Sequence, residues 1–91
     1  MKLLLTACIA AMPLLAHGQS PWPEAKPITM IVPFPPGGVT DTVARPVAEA
    51  LARELKQQVP VENRAGAGGG TGIGAASRAA PDGYTMLLSL S

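Results

Sequence analysis

Two kinds of apolar spacing alternate along this chain. Ile28-Thr29-Met30-Ile31-Val32 is a nearly continuous apolar run of strand length. Such a run predicts a parallel strand covered on both faces, and Pro33 removes a ladder donor and helps to end it. The period then changes to four. Val43, Val47, Leu51 and Leu55 predict the buried stripe of a helix, with Ala44, Ala48 and Ala50 beside it. Thr40 or Asp41 is its natural N-cap. Glu49 and Arg53 form an i,i+4 pair in the favourable order, worth ~0.3 kcal/mol. Pro46 is the misfit: inside a helix it costs ~3 kcal/mol, which predicts a distorted first turn or a regular helix beginning near Arg45. Val59-Pro60-Val61-Glu62 reads as a short second strand, and 72–80 as a short helix capped by Thr71 with Ile73, Ala76 and Ala80 inward. Pro81-Asp82-Gly83 is a turn by its residue types, and 84–90 a third strand.

The order is strand, helix, strand, helix, strand. Right-handed crossovers make this an α/β fold, a parallel β-α-β-α-β segment with helices on both faces of the sheet. Ligands of such sheets bind beyond the carboxyl ends of the strands. Two glycine-bearing loops fall there: Phe34-Pro35-Pro36-Gly37-Gly38-Val39-Thr40-Asp41 and Asn63-Arg64-Ala65-Gly66-Ala67-Gly68-Gly69-Gly70-Thr71-Gly72. A loop that opens a helix exposes N–H groups without helical partners, and with the helix dipole these favour an anion. Gly37 and Gly38 allow close approach of the backbone, and Thr40 offers a hydroxyl. Asp41 is read as a cap, because a carboxylate repels an anionic ligand. Phe34 serves equally as a wall for an organic ligand or as core. Arg64 is a candidate counter-charge, or one partner of a surface ion pair.

The first residues read differently from the rest. Met1-Lys2 gives a positive start, Leu3 to Ala16 is apolar apart from Thr6, and Ala16-His17-Gly18 puts small residues before a cleavage point. This is the layout of a secretory signal peptide over 1–18, too short for a membrane anchor of ~20 apolar residues. Leu5-Thr6-Ala7-Cys8 has the look of a lipoprotein box, but the residues before it are too few, so Cys8 is read as filler. After cleavage neither His nor Cys remains, and the chain from Gln19 carries six basic and six acidic residues. That composition speaks against nucleic acid as a partner, and no charge run suggests a membrane surface. It leaves no candidate catalytic or metal-binding set, and no cofactor is expected. Gly70-Thr71-Gly72-Ile73-Gly74-Ala75 formally fits the dinucleotide fingerprint, but it follows the second strand and no acid lies from Tyr84 to Ser91. A nucleotide-binding enzyme fragment of Rossmann type is therefore the alternative, and an inactive truncated remnant a third reading.

The assembled motifs resemble a family. Ile31-Val32-Pro33-Phe34-Pro35-Pro36-Gly37-Gly38, Thr40-Asp41, Glu62-Asn63-Arg64, Gly66-Ala67-Gly68-Gly69 and Ala79-Ala80-Pro81-Asp82-Gly83-Tyr84-Thr85 occur in this order. The chain closely resembles the N-terminal segment of the periplasmic receptors of tripartite tricarboxylate transporters, the Bug-type receptors. The resemblance implies a two-lobed, type II periplasmic-binding-protein-like fold closing on a small carboxylate, with the ligand passed to membrane permease subunits. Family ligands include di- and tricarboxylates, acidic amino acids and aromatic acids. The ligand-binding loops it implies carry Phe34, Pro36, Gly37, Gly38, Thr40, Asp41, Arg64, Gly66, Ala67, Gly68 and Gly69. Residues 19–27 read by composition as a proline-rich leader, and the resemblance makes 28–91 part of a first lobe, the N-terminal portion of a longer receptor. Val39 stands where glycine is common, Gly70 where Asn or Thr is frequent, and Pro46 and Pro60 where aliphatic residues are.

Overall fold

The computed structural model describes residues 20–90; the expected signal peptide, with Cys8 and His17, lies outside them. The central strand β1 (Thr29–Val32) has β2 (Val61–Asn63) on one side and β3 (Thr85–Leu87) on the other, both parallel to it. Register is fixed by Met30 opposite Val61 and Met86, and Ile31 opposite Glu62 and Leu87. The helices α1 (Val39–Leu55) and α2 (Gly70–Arg78) make the two crossovers, with a 3₁₀ turn at Ala67–Gly69 leading into α2. Helix α1 packs on β1 and β2, and α2 on β1 and β3. With the order β2-β1-β3, right-handed crossovers put the helices on opposite faces, as the alternation of the sequence predicts.

Strand β1 is the buried element because both its faces are covered. Met30 and Val32 join Ile28, Ala44, Ala48 and Val59 in the main core, with Leu51, Leu55, Val61, Tyr84 and Met86 around them. Ile31, also buried, points to the opposite face.

Several expectations are corrected. First, α1 does not bury Val43 and Val47, which are 51% and 38% exposed. Its inward side runs through Thr40, Asp41, Ala44 and Ala48 to Leu51 and Leu55, a three-four spacing. Alanines bring the helix axis close to the sheet, so the small residues face in and the valines out. Second, Pro46 lies within a helix that begins well before it, at Val39. The donor that Pro46 lacks belongs to the exposed side, where Thr42 and Pro46 both meet solvent and water can serve the freed carbonyl. Third, α2 begins at Gly70 after Gly69, so Thr71 is not its cap; Gly72 is buried, Ile73 is 44% exposed, and Ala80 lies beyond the helix. The strands are also shorter than expected, and Pro60 falls outside β2. Glu49 and Arg53 are not among the ion pairs of the described residues.

The proline-rich leader docks back on the fold. Trp22 Nε1 donates to the Gly83 carbonyl (2.9 Å), the Ala25 N–H to the Tyr84 hydroxyl (3.1 Å), and Lys26 pairs with Asp82. Trp22 therefore covers the turn that precedes β3.

Candidate functional site

Because β1 and β2 are parallel neighbours, the loops that leave them emerge side by side at the carboxyl end of the sheet. The first runs from Pro33 to Gly38, and the second from Arg64 to Gly69. Pro36, Gly37 and Gly38 are exposed, as are Arg64, Gly66, Ala67 and Gly68; Phe34 is half-buried, and Gly69, Thr40 and Asp41 are buried. The sheet thus brings the predicted loop residues to one end of the fold, with Thr40 and Asp41 inside and the glycines outside.

The start of α1 differs from the expectation. Its N-cap is Gly38, which has no side chain to offer, so neither Thr40 nor Asp41 caps it. Asp41 is the third helical residue, and its Oδ2 accepts the Gly37 N–H from inside the first turn (3.0 Å). The N–H groups of Val39, Thr40 and Asp41 precede any carbonyl that the helix can supply, and so have no helical partner at its positive end. Thr40 is 2% exposed, so its side chain lies within the fold beneath the first loop.

Asp41 is held by more than this turn. Arg45 Nε donates to Asp41 Oδ2 (2.8 Å), and Asn63 Nδ2 to Asp41 Oδ1 (2.9 Å). These donors, Arg45 first, then Asn63 and the Gly37 N–H, pull its carboxyl down to about 2. Asn63 Nδ2 also donates to the Phe34 carbonyl (3.1 Å), and Arg45 donates to Asn63 Oδ1 (3.1 Å). The last residue of β2 thus holds the backbone of the first loop in place.

In the second loop, the Gly69 and Thr71 N–H groups return to the Gly66 carbonyl at 3.0 and 3.4 Å, so part of its donor capacity is used internally. Arg64 pairs with Glu62 (3.1 Å), one of the two readings offered for it. Gly72 has a packing role: a Cβ there would lie 2.7 Å from Pro33 Cα and 2.8 Å from the Arg64 carbonyl. The glycine of the dinucleotide-like string thus seats α2 against both loops.

Sequence reasoning did not single out Arg45 and Asn63. Arg45 had a signal, its i,i+4 spacing from Asp41. Asn63 had none, since its bonds reach back to the first loop and to α1. Among the described residues, no group of three His, Cys, Asp or Glu side chains is placed to hold a metal ion.

Residues 43–91 match the sequence profile of the "Tripartite tricarboxylate transporter family receptor". Protein BugT of Bordetella pertussis is 60% identical over 74% of this chain and 21% of its own length. The solved periplasmic binding protein BugD is 50% identical, with a TM-score of 0.69 over 72% of this chain and 22% of BugD. MatC of Rhodopseudomonas palustris, solved with bound malate, is 42% identical with a TM-score of 0.69, over the same shares. The chain thus spans about a fifth of the length of the relatives it matches. Profile, sequence and fold agree: the chain belongs to the tripartite tricarboxylate transporter receptor family and is of its Bug type.

Proposed function

We propose that this chain supplies part of the first lobe of an exported solute-binding receptor for small organic carboxylates, which serves a tripartite tricarboxylate transporter in the periplasm. The observation that carries the proposal is the side-by-side exposure of two glycine loops at the carboxyl end of a parallel sheet, one of them opening a helix without a side-chain cap. MatC, which shares this fold segment, was solved with malate, a dicarboxylate. The ligand carboxylate would be received by the N–H groups of Val39, Thr40 and Asp41 and by the backbone from Gly66 to Gly69. Phe34 and Pro36 would border it, with Arg64, its charge matched by Glu62, at the rim. The permease subunits of the transporter are the partners proposed for delivery.

Each helix N-terminus contributes ~0.3–1 kcal/mol toward an anion at an exposed site. The chain by itself is therefore expected to bind weakly, with Kd at about the millimolar level or above. Amide-resolved NMR titration of the full chain with malate, citrate, glutamate and benzoate tests this. Shifts confined to residues 36–41 and 64–70 support the proposal. Unmoved loop amides, or shifts with a dinucleotide in place of carboxylates, overturn it.

A further inference from the structure

We infer that Arg45 is the residue that makes the first loop admit an anion, by cancelling the buried charge of Asp41 beside it. The inference rests on the carboxylate-binding reading and assigns a role inside that site. Asp41 is 6% exposed at its side chain, and its Oδ2 lies 3.0 Å from the Gly37 nitrogen, within the loop proposed to receive the ligand. An ionised carboxylate in that position opposes what the helix terminus favours. Its place is structural: it ties Gly37 to the first turn of α1 and accepts from Asn63 on β2. The loop needs the carboxylate for its shape, and the ligand needs the charge removed.

Arg45 meets both needs. It stands one turn further along α1, with Nε 2.8 Å from Asp41 Oδ2 and its terminal nitrogen 3.1 Å from Asn63 Oδ1. Its own side chain is 53% exposed, so it brings in a charge without burying one. Glu62, the acidic residue in the strand leading to the second loop, is paired in the same way with Arg64. Both carboxylates near the loops are thus matched by an arginine.

The test compares the wild-type full chain with Arg45→Gln and Arg45→Lys by NMR titration with malate, a dianion, and benzoate, a monoanion, at low and high salt. A charge role predicts that Arg45→Gln weakens benzoate by about threefold and malate by about tenfold at low salt, since an uncompensated unit charge several ångströms away acts once on each ligand charge. High salt shrinks both losses. Arg45→Lys restores binding, because lysine returns the charge without the fork to Asn63. Equal binding by wild type and Arg45→Gln overturns the inference and leaves the carboxylate reading standing, as does a lysine variant no better than the glutamine one. A wild-type chain with loop amides unmoved by either acid overturns the carboxylate reading and this inference with it.

Discussion

The edge of the Phe34 ring faces Gly69, so that a Cβ added there would sit 3.4 Å from both Cε1 and Cζ. One aromatic side chain from the first loop therefore rests on the floor of the second. Gly69 also has φ +100°, a backbone conformation costly for residues with a Cβ. Gly69→Ala is expected to destabilise the chain by about 1–3 kcal/mol and to shift the Phe34 ring resonances. Urea unfolding read with aromatic NMR checks both; an unchanged midpoint refutes the contact.

Gly72→Ala should be at least as damaging, for a different reason. Its backbone is helical, but a methyl would run into Pro33 Cα and the Arg64 carbonyl, neither of which can rotate away. Overpacking of this kind costs about 1–3 kcal/mol. Gly38→Ala, whose Cβ meets only the Pro35 carbonyl at an ordinary 3.5 Å, is the control and should unfold close to wild type.

The corrected face of α1 gives a third expectation. Val43→Ser and Val47→Ser should change stability by no more than about 0.5 kcal/mol, as substitutions at exposed positions usually do. Ala44→Leu and Ala48→Leu should cost about 1–3 kcal/mol, because those alanines lie against the sheet. The reverse ranking in thermal melts would restore the stripe that the valine spacing suggested.

Acid should loosen the first loop in a defined window. The carboxyl of Asp41 sits at about 2 in the fold, below its ordinary value of 3.8. A group lowered by folding stabilises the fold above its unfolded value, and that contribution is lost as pH falls through the folded one. Asp82, lowered chiefly by the Tyr84 N–H that it accepts, acts in the same direction. Stability is expected to decline from pH 4 toward about pH 2, and Asn63→Ala should raise the Asp41 midpoint by removing a donor to it. Carboxyl-detected NMR across that range measures both; a midpoint near 4 in the wild type contradicts the network.

Much of the fold was legible because its signals are local. The apolar run before Pro33 specified β1, and glycines after two strands located the loops at one end of the sheet. Helix α1 was located correctly, but its orientation was not. Residues four apart drift around a helix, so Val43 and Val47 marked a stripe as plausible as Ala44 and Ala48. What decided between them was how closely the helix approaches the sheet, a distance absent from periodicity. The cap was misplaced because Asp41 serves the helix start from within, reaching back to Gly37. Asn63 was invisible in its role, since a side-chain amide bridging Phe34 and Asp41 leaves no spacing to read.

The parallel order β2-β1-β3 has a kinetic side. Strand β1 is made first and is the most apolar, yet both of its partners come far later in the sequence. Until β3 has left the ribosome, Met30, Ile31 and Val32 have no completed sheet to enter, and pairing across such separations is slow to nucleate. Among the described residues, the most apolar strand is thus made before either of the partners that cover it. That strand stays uncovered for as long as synthesis takes to reach β3.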